Sequence, residues 1–364
     1  MLTHRSFRRS LTASCAALTI ACTGLLTSCS TPSGSATGSP SAASGSPSGS
    51  RSGSDASAGT NPVRISGASF PLTVTDFNNQ KLVFTHAPRR VCVISATPLN
   101  LWFDVDGKAV CRSDITQNLR IVPAHEKEMK AVPTVGGALS PNMEALTSYK
   151  PDLVIIMSGE QDTLYNRLHE LGLRTMTVKA RSMDELSATY RAFGALTGHP
   201  EIAEQRISHI RTQVNRVVAK LPNRTTKVAI VYVTATALSV KLDNSIAGQM
   251  AQTLKLRNLA SGLTPDNPGS ETTPLDIEEI VRQKPDYILV TSMMKSNSLA
   301  KQRINQEFAT NKAWQAVDAV RNGKVIYLPQ QYFLMNAGPY YGDAMEFLAA
   351  SIYPDVYGAP KQVA

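Results

Sequence analysis

Glu144-Ala-Leu-Thr-Ser-Tyr-Lys-Pro151-Asp152 runs straight into Leu153-Val-Ile-Ile156, and Glu278-Glu-Ile-Val-Arg-Gln-Lys-Pro285-Asp286 runs straight into Tyr287-Ile-Leu-Val290. In each copy a Glu stands seven residues before the Pro of a Lys-Pro-Asp. Proline breaks a helix interior and drives the residue before it out of the helical region. Lys-Pro therefore ends a helix, and the apolar run after Asp reads as a buried strand. The same helix–strand unit occurs twice, far apart in the chain. That predicts two lobes built alike, and a matched carboxylate on each suggests one partner touching both lobes at once.

Outward from the repeats, short apolar runs alternate with helical stretches. Residues 91–95 and 108–112 read as strands, with a short helix between them through Leu99 and Trp102. Residues 141–150 read as helix, 153–157 as strand, 161–171 as helix, 175–179 as strand and 183–196 as helix closing at Gly198. The rhythm resumes with a strand at 227–233, a helix at 246–256, the second repeat, a strand at 324–328 and a helix at 342–352. Such alternation makes parallel sheets covered on both faces. The expected fold is α/β, two Rossmann-like lobes with parallel sheets joined by one long α-helix. Ile207, Ile210, Val214, Val217 and Leu221 mark that helix, one apolar stripe that Pro200 opens and Pro222-Asn223 ends. At 1.5 Å per residue it spans about 30 Å, enough to bridge two lobes while permitting little hinge motion. The lobes are assigned to residues 80–198 and 223–358, with the helix at 199–222.

Residues 1–29 read as an export leader: Arg5, Arg8 and Arg9, then a short apolar core to Leu26, then Leu26-Thr-Ser-Cys29. A Cys after small residues has the lipobox pattern, which makes Cys29 the acylated, palmitate-bearing first residue of the mature chain. The Arg8-Arg9 pair leaves both general and twin-arginine export open. Residues 30–62 are Ser, Gly, Pro, Ala and Thr with almost no charge, a flexible tether. No later stretch is apolar for the 18 or so residues a spanning helix needs. The chain is expected on the extracellular face of the cytoplasmic membrane, held by lipid. The formal charge of +9 includes the three leader Arg; the remaining Lys and Arg are dispersed, which argues against nucleic-acid binding. Cys15 and Cys22 leave with the leader. Cys92 and Cys111 fall in neighbouring early strands in an oxidising compartment, so a bridged pair and two free thiols both remain open.

Lipobox, tether, two α/β lobes, one long helix and a Glu–Lys-Pro-Asp unit in each lobe together resemble the class III solute-binding proteins. These serve ABC importers for ferric siderophores, heme and cobalamin. The resemblance covers about residues 80 to 354 and includes Trp314-Gln-Ala-Val-Asp-Ala-Val-Arg-Asn-Gly-Lys-Val-Ile-Tyr327. It implies a monomer with no intrinsic cofactor, an iron chelate as transported ligand, and an ABC permease dimer as partner. In that family one Glu at each lobe tip meets an Arg pocket on a permease subunit. The matching residues are Glu144 and Glu278, with Glu279 adjacent as a substitute.

Ligands of open α/β sheets bind beyond the strand C-terminal ends. The segments reaching there carry Trp102, Met143, Met293, Tyr332 and Tyr340, with few acids, which suits a large, flat or greasy chelate better than a bare cation. Arg112 and Lys241 stand near strand or loop ends, placed to meet a propionate or an anionic siderophore. The stretch Leu139-Ser-Pro-Asn-Met143-Glu144 resembles the heme-binding branch, in which the Met before the docking Glu ligates iron. Where that branch has its second ligand, a His, this chain has Met293. Met143 and Met293 are thus either a bis-thioether iron site or packing around another chelate. Cobalamin is the alternative ligand within the family. An enzyme or metallocluster subunit on this architecture is the alternative class, against which stands the lack of a nucleophile elbow, phosphate loop or cluster-spaced Cys.

Overall fold

The computed structural model describes residues 62–116, 119–159, 161–334 and 337–363. These belong to one compact unit, Ser57–Ala364. The leader, Cys29 and nearly all of the expected tether lie outside the described residues.

The first lobe is built on four parallel strands in the order Cys111–Arg112, Val91–Val93, Leu153–Met157, Thr175–Val178. Every residue of the last three strands is buried, as a sheet covered on both faces requires. The second lobe centres on Lys227–Val233, which pairs in parallel with Tyr287–Ser292, itself parallel to Val325–Tyr327. The expected parallel core is extended here by antiparallel strands. Leu238–Lys241 pairs antiparallel with Lys227–Val233, and Thr272–Pro274 antiparallel with Leu238–Lys241. These additions are short and half polar, so no apolar run announces them.

The structure also adds strands before residue 80. Arg64–Ser66, Leu72–Thr75 and Lys81–Phe84 form a three-stranded antiparallel sheet. Val74 and Phe84 from it enter the main core, and the Phe77 amide donates to the Thr177 carbonyl at 3.0 Å. The folded region therefore starts well upstream of the predicted lobe boundary.

Pro200–Val218 is the connecting helix, with Ala203, Ile207, Ile210, Val214 and Val217 buried. The helix before it, Met183–Thr197, opens with a reciprocal Ser182–Glu185 capping box and stops at Gly198 in the left-handed region, which glycine enters without steric cost. Two glycines bring neighbours tight against the connecting helix. A Cβ at Gly194 would strike the Ala203 side chain, and one at Gly342, in the helix Tyr341–Ile352, would strike Gln213. One hydrophobic cluster runs through both lobes and this helix.

The two repeats fold alike in detail. Met143–Ser148 and Ile277–Gln283 are their helices, capped by the side chains of Asn142 and Asp276. Lys150 and Lys284 both adopt positive φ, at 44° and 52°, turning the chain toward its strand. The Asp that follows Pro ties that turn to an earlier strand. Asp152 accepts from the Arg89 and Arg90 amides at 2.7 and 2.9 Å, and Asp286 from the Lys227 amide at 2.7 Å.

Candidate functional site

Strand ends from both lobes converge on a cavity of about 340 Å³. The first lobe contributes Gly159 and Asp162, beyond Leu153–Met157, and Arg181, beyond Thr175–Val178. The second contributes Tyr232, Lys241, Met293 and the loop 267–272. Gly159 has a φ of 96°, and a Cβ there would collide with the Arg181 guanidinium; glycine at this turn lets the cation lie across it.

Arg181 is the central side chain, only 5% exposed. It donates to the Ser158 carbonyl at 3.3 Å within its own lobe and forms an ion pair across the cleft with Glu271. The other oxygen of Glu271 lies 3.3 Å from the Lys241 ammonium, which sits 4.2 Å from the Tyr232 ring centroid. Behind them Lys179 lies 3.9 Å from Glu185. Burial, and then the Arg181 charge, pull the Lys179 ammonium below its ordinary value. Asp162 accepts the Gly159 amide at 3.0 Å. The cavity is thus lined by two cations, Arg181 and Lys241, and two carboxylates, Asp162 and Glu271, groups that make charge-assisted hydrogen bonds.

Of the residues expected at the ligand, Lys241 and Met293 line this cavity, and Met293 is 43% exposed. The others do not. Trp102 is core: its indole donates to the Lys108 carbonyl at 2.9 Å and its ring meets Phe193 edge-on. Arg112 is buried, and its guanidinium donates to the carbonyls of Met129, Ser113 and Lys130, which takes up three of its five N–H groups. Burial lowers its pKa from the ordinary arginine value. Met143 packs in the first-lobe cluster with Cys92, Ile94 and Leu146 and is not among the residues lining the cavity. Cys92 and Cys111, paired across adjacent strands, are joined by a disulfide.

Tyr332 and Tyr340 belong to a second contact between the lobes, organised by Arg120. Arg120 donates to the Tyr332 hydroxyl at 2.7 Å, lies 4.3 Å from the Tyr340 ring centroid and 3.8 Å from Asp343. The Tyr340 hydroxyl donates to the Ile121 carbonyl at 2.9 Å. Tyr332 and Arg120 border a separate cavity of about 240 Å³. Trp102, Tyr332 and Tyr340 therefore do not gather at the cavity that Lys241 and Met293 line. Arg181 and Arg120 escaped sequence reasoning because their partners lie far along the chain. The strand-end placement of Arg181, three residues past Val178, was the available signal.

Glu144 and Glu278 occupy the same position, second residue of a capped helix, in the two repeats. Both are exposed, and neither carboxylate has a side-chain partner among the described residues. Glu279 instead pairs with Arg282 and accepts from Gln283, and these hydrogen bonds hold its carboxyl below the usual range.

Comparison with known proteins gives the same architecture. The periplasmic binding protein family matches residues 91–332. The uncharacterized ABC transporter substrate-binding lipoprotein YvrC of Bacillus subtilis is 24% identical over 306 residues, 79% of this chain and 87% of that protein. The Fe(3+) dicitrate-binding periplasmic protein FecB of Escherichia coli is 20% identical over 259 residues, 71% of this chain and 82% of FecB. The crystal structure of S. aureus IsdE complexed with heme superposes with a TM-score of 0.65 at 19% identity, covering 72% of this chain and 98% of IsdE. With the match extending over both lobes, the chain belongs to the periplasmic binding protein family, whose members bind a substrate, deliver it to an ABC permease and are not enzymes.

Proposed function

We propose that this chain captures an anionic ferric chelate outside the membrane and delivers it to an ABC importer. The observation that carries the ligand class is the pair Arg181 and Lys241, one from each lobe, converging on a single carboxylate in the cleft. An iron complex bearing carboxylates offers that pair the same chemistry. Similarity to a dicitrate-binding protein supports this choice. Among the described residues no three His, Cys, Asp or Glu side chains gather to hold a metal ion, so the iron is taken to arrive already chelated. Heme is the second reading, favoured by the exposed thioether of Met293 at the cavity. The buried Met143 weighs against a bis-thioether site.

Glu144 and Glu278 are proposed as the permease contacts, since charged pairs at such an interface fix orientation and speed encounter. Cys29 is proposed as the lipid attachment. Replacing Cys29 with Ala should release the chain from membranes into the medium.

The test of the ligand is a titration of the purified chain with ferric citrate, a ferric catecholate, a neutral ferric trihydroxamate and hemin, followed by calorimetry and visible spectra. Saturable one-to-one binding of ferric citrate, lost in Arg181→Gln, is the expected result. A sharp Soret shift at one equivalent of hemin, with no response to ferric citrate, would replace it with the heme reading.

A further inference from the structure

Glu271 already occupies the place a ligand carboxylate would take. One of its oxygens pairs with Arg181 from the first lobe and the other with Lys241 from the second, 3.3 Å away. Its side chain remains 20% exposed at the cavity, whereas the two cations are more deeply covered at 5% and 15%. The loop that carries it is tied down: the Leu242 amide donates to the Glu271 carbonyl at 2.8 Å, and Asn244 Nδ2 donates to the Ser270 carbonyl at 2.9 Å. With the loop backbone held, departure of Glu271 from the cations would be a rotation about its own side-chain bonds rather than an opening of the loop.

We infer that Glu271 is an internal surrogate carboxylate, which an incoming chelate must displace from Arg181 and Lys241 in order to bind. This rests on the anionic-chelate reading above. The displacement acts as a selectivity filter. A chelate with a free carboxylate replaces the bonds it breaks, while a neutral complex would leave two covered cations without a partner. It also weakens apparent affinity, because only the fraction of molecules with Glu271 swung away is competent to bind. The same carboxylate waits to reclaim its partners when the ligand departs, which favours release at the permease.

The experiment compares the full-length wild type with Glu271→Gln and Asp162→Asn, titrating each with ferric citrate and with a neutral ferric trihydroxamate. Asp162→Asn removes an equal charge from the same cavity, but from a carboxylate held by the Gly159 amide rather than on the two cations. Glu271→Gln should bind ferric citrate about tenfold more tightly than wild type, equivalent to about 1.4 kcal/mol. Asp162→Asn should gain much less, and Glu271→Gln should also ease binding of the neutral chelate, which no longer has to break the two ion pairs. Glu271→Asp, which keeps the charge but shortens the reach, should fall between wild type and Gln. Thermal unfolding of each variant confirms that it is folded. Equal gains in Glu271→Gln and Asp162→Asn would reduce the effect to bulk charge and overturn the surrogate role. No gain in Glu271→Gln, with wild type still binding ferric citrate, would overturn it and leave the anionic-chelate reading standing. Failure of every protein to bind any complex in the panel would remove both.

Discussion

Asp104 is a carboxylate taken out of water, 4% exposed, with the Tyr190 hydroxyl donating to it at 2.7 Å and Arg206 ion-paired with it at 3.2 Å. Burial outweighs these partners and raises its pKa above the ordinary value. The folded state then holds a proton that the unfolded chain has already lost. Between the unfolded pKa, about 4, and the raised folded value, stability falls as pH rises. Wild type should lose stability relative to Asp104→Asn across that window, read from urea midpoints at a series of pH values. A gap that widened in the other direction would contradict the assignment. Trp102→Ala should cost about 3–5 kcal/mol in the same unfolding assay, with ferric citrate affinity unchanged. Trp102 shows why residue roles were only partly legible. Sequence placed it near the end of a strand and its helix, but not which way the indole faced. Arg112 failed for the same reason: a cation at a strand end reads as a ligand contact until its carbonyl partners are seen. Lys241 and Met293 were placed at the cleft from the strand rhythm alone. Arg181 needed its partner Glu271, which no local pattern reveals.

Elements were more legible than residues, because periodicity and punctuation act locally. Lys-Pro-Asp predicted both turns, and in the structure each is closed by its Asp onto a backbone amide, just before the strand Val91–Val93 in the first repeat and at the start of Lys227–Val233 in the second. The stripe from Ile207 to Val217 predicted the connecting helix, which ends at Val218, short of the predicted limit. The antiparallel additions were missed because three- and four-residue strands with alternating polar residues carry too little apolar pattern to stand out from loops. Arg64–Ser66 and Leu238–Lys241 are both of this kind. The disulfide belongs to this scale, since it clamps the edge strand Cys111–Arg112 to Val91–Val93. It closes a sequence separation of 19 residues. On the chain-entropy account a loop of that size contributes about 3 kcal/mol. The double variant Cys92→Ala/Cys111→Ala should lose roughly that much in chemical denaturation under oxidising conditions, and an unchanged midpoint would show that the bond constrains little.

Across the whole folded unit, the connecting helix is gripped from both sides, with Gly194 and Gly342 admitting the neighbouring helices and Gln213 donating to Asp343 at 3.2 Å. Arg120 and Arg181 add side-chain ties between the lobes at two further places. These ties oppose hinge motion between the lobes, and with it any change in the separation of the two exposed Glu at the starts of the repeat helices. A partner that engages both meets a two-pronged plug. Once one prong is seated, the frame holds the other at a high local concentration, and the combined avidity exceeds either contact alone by about 10² to 10⁴. Glu144→Ala by itself should then abolish most iron-complex uptake in cells, nearly as fully as Glu144→Ala/Glu278→Ala, while chelate affinity of the purified chain stays constant. Independent contacts would instead show two partial losses that multiply. The plug tolerates no wear on one side, and that intolerance is the price of rigidity.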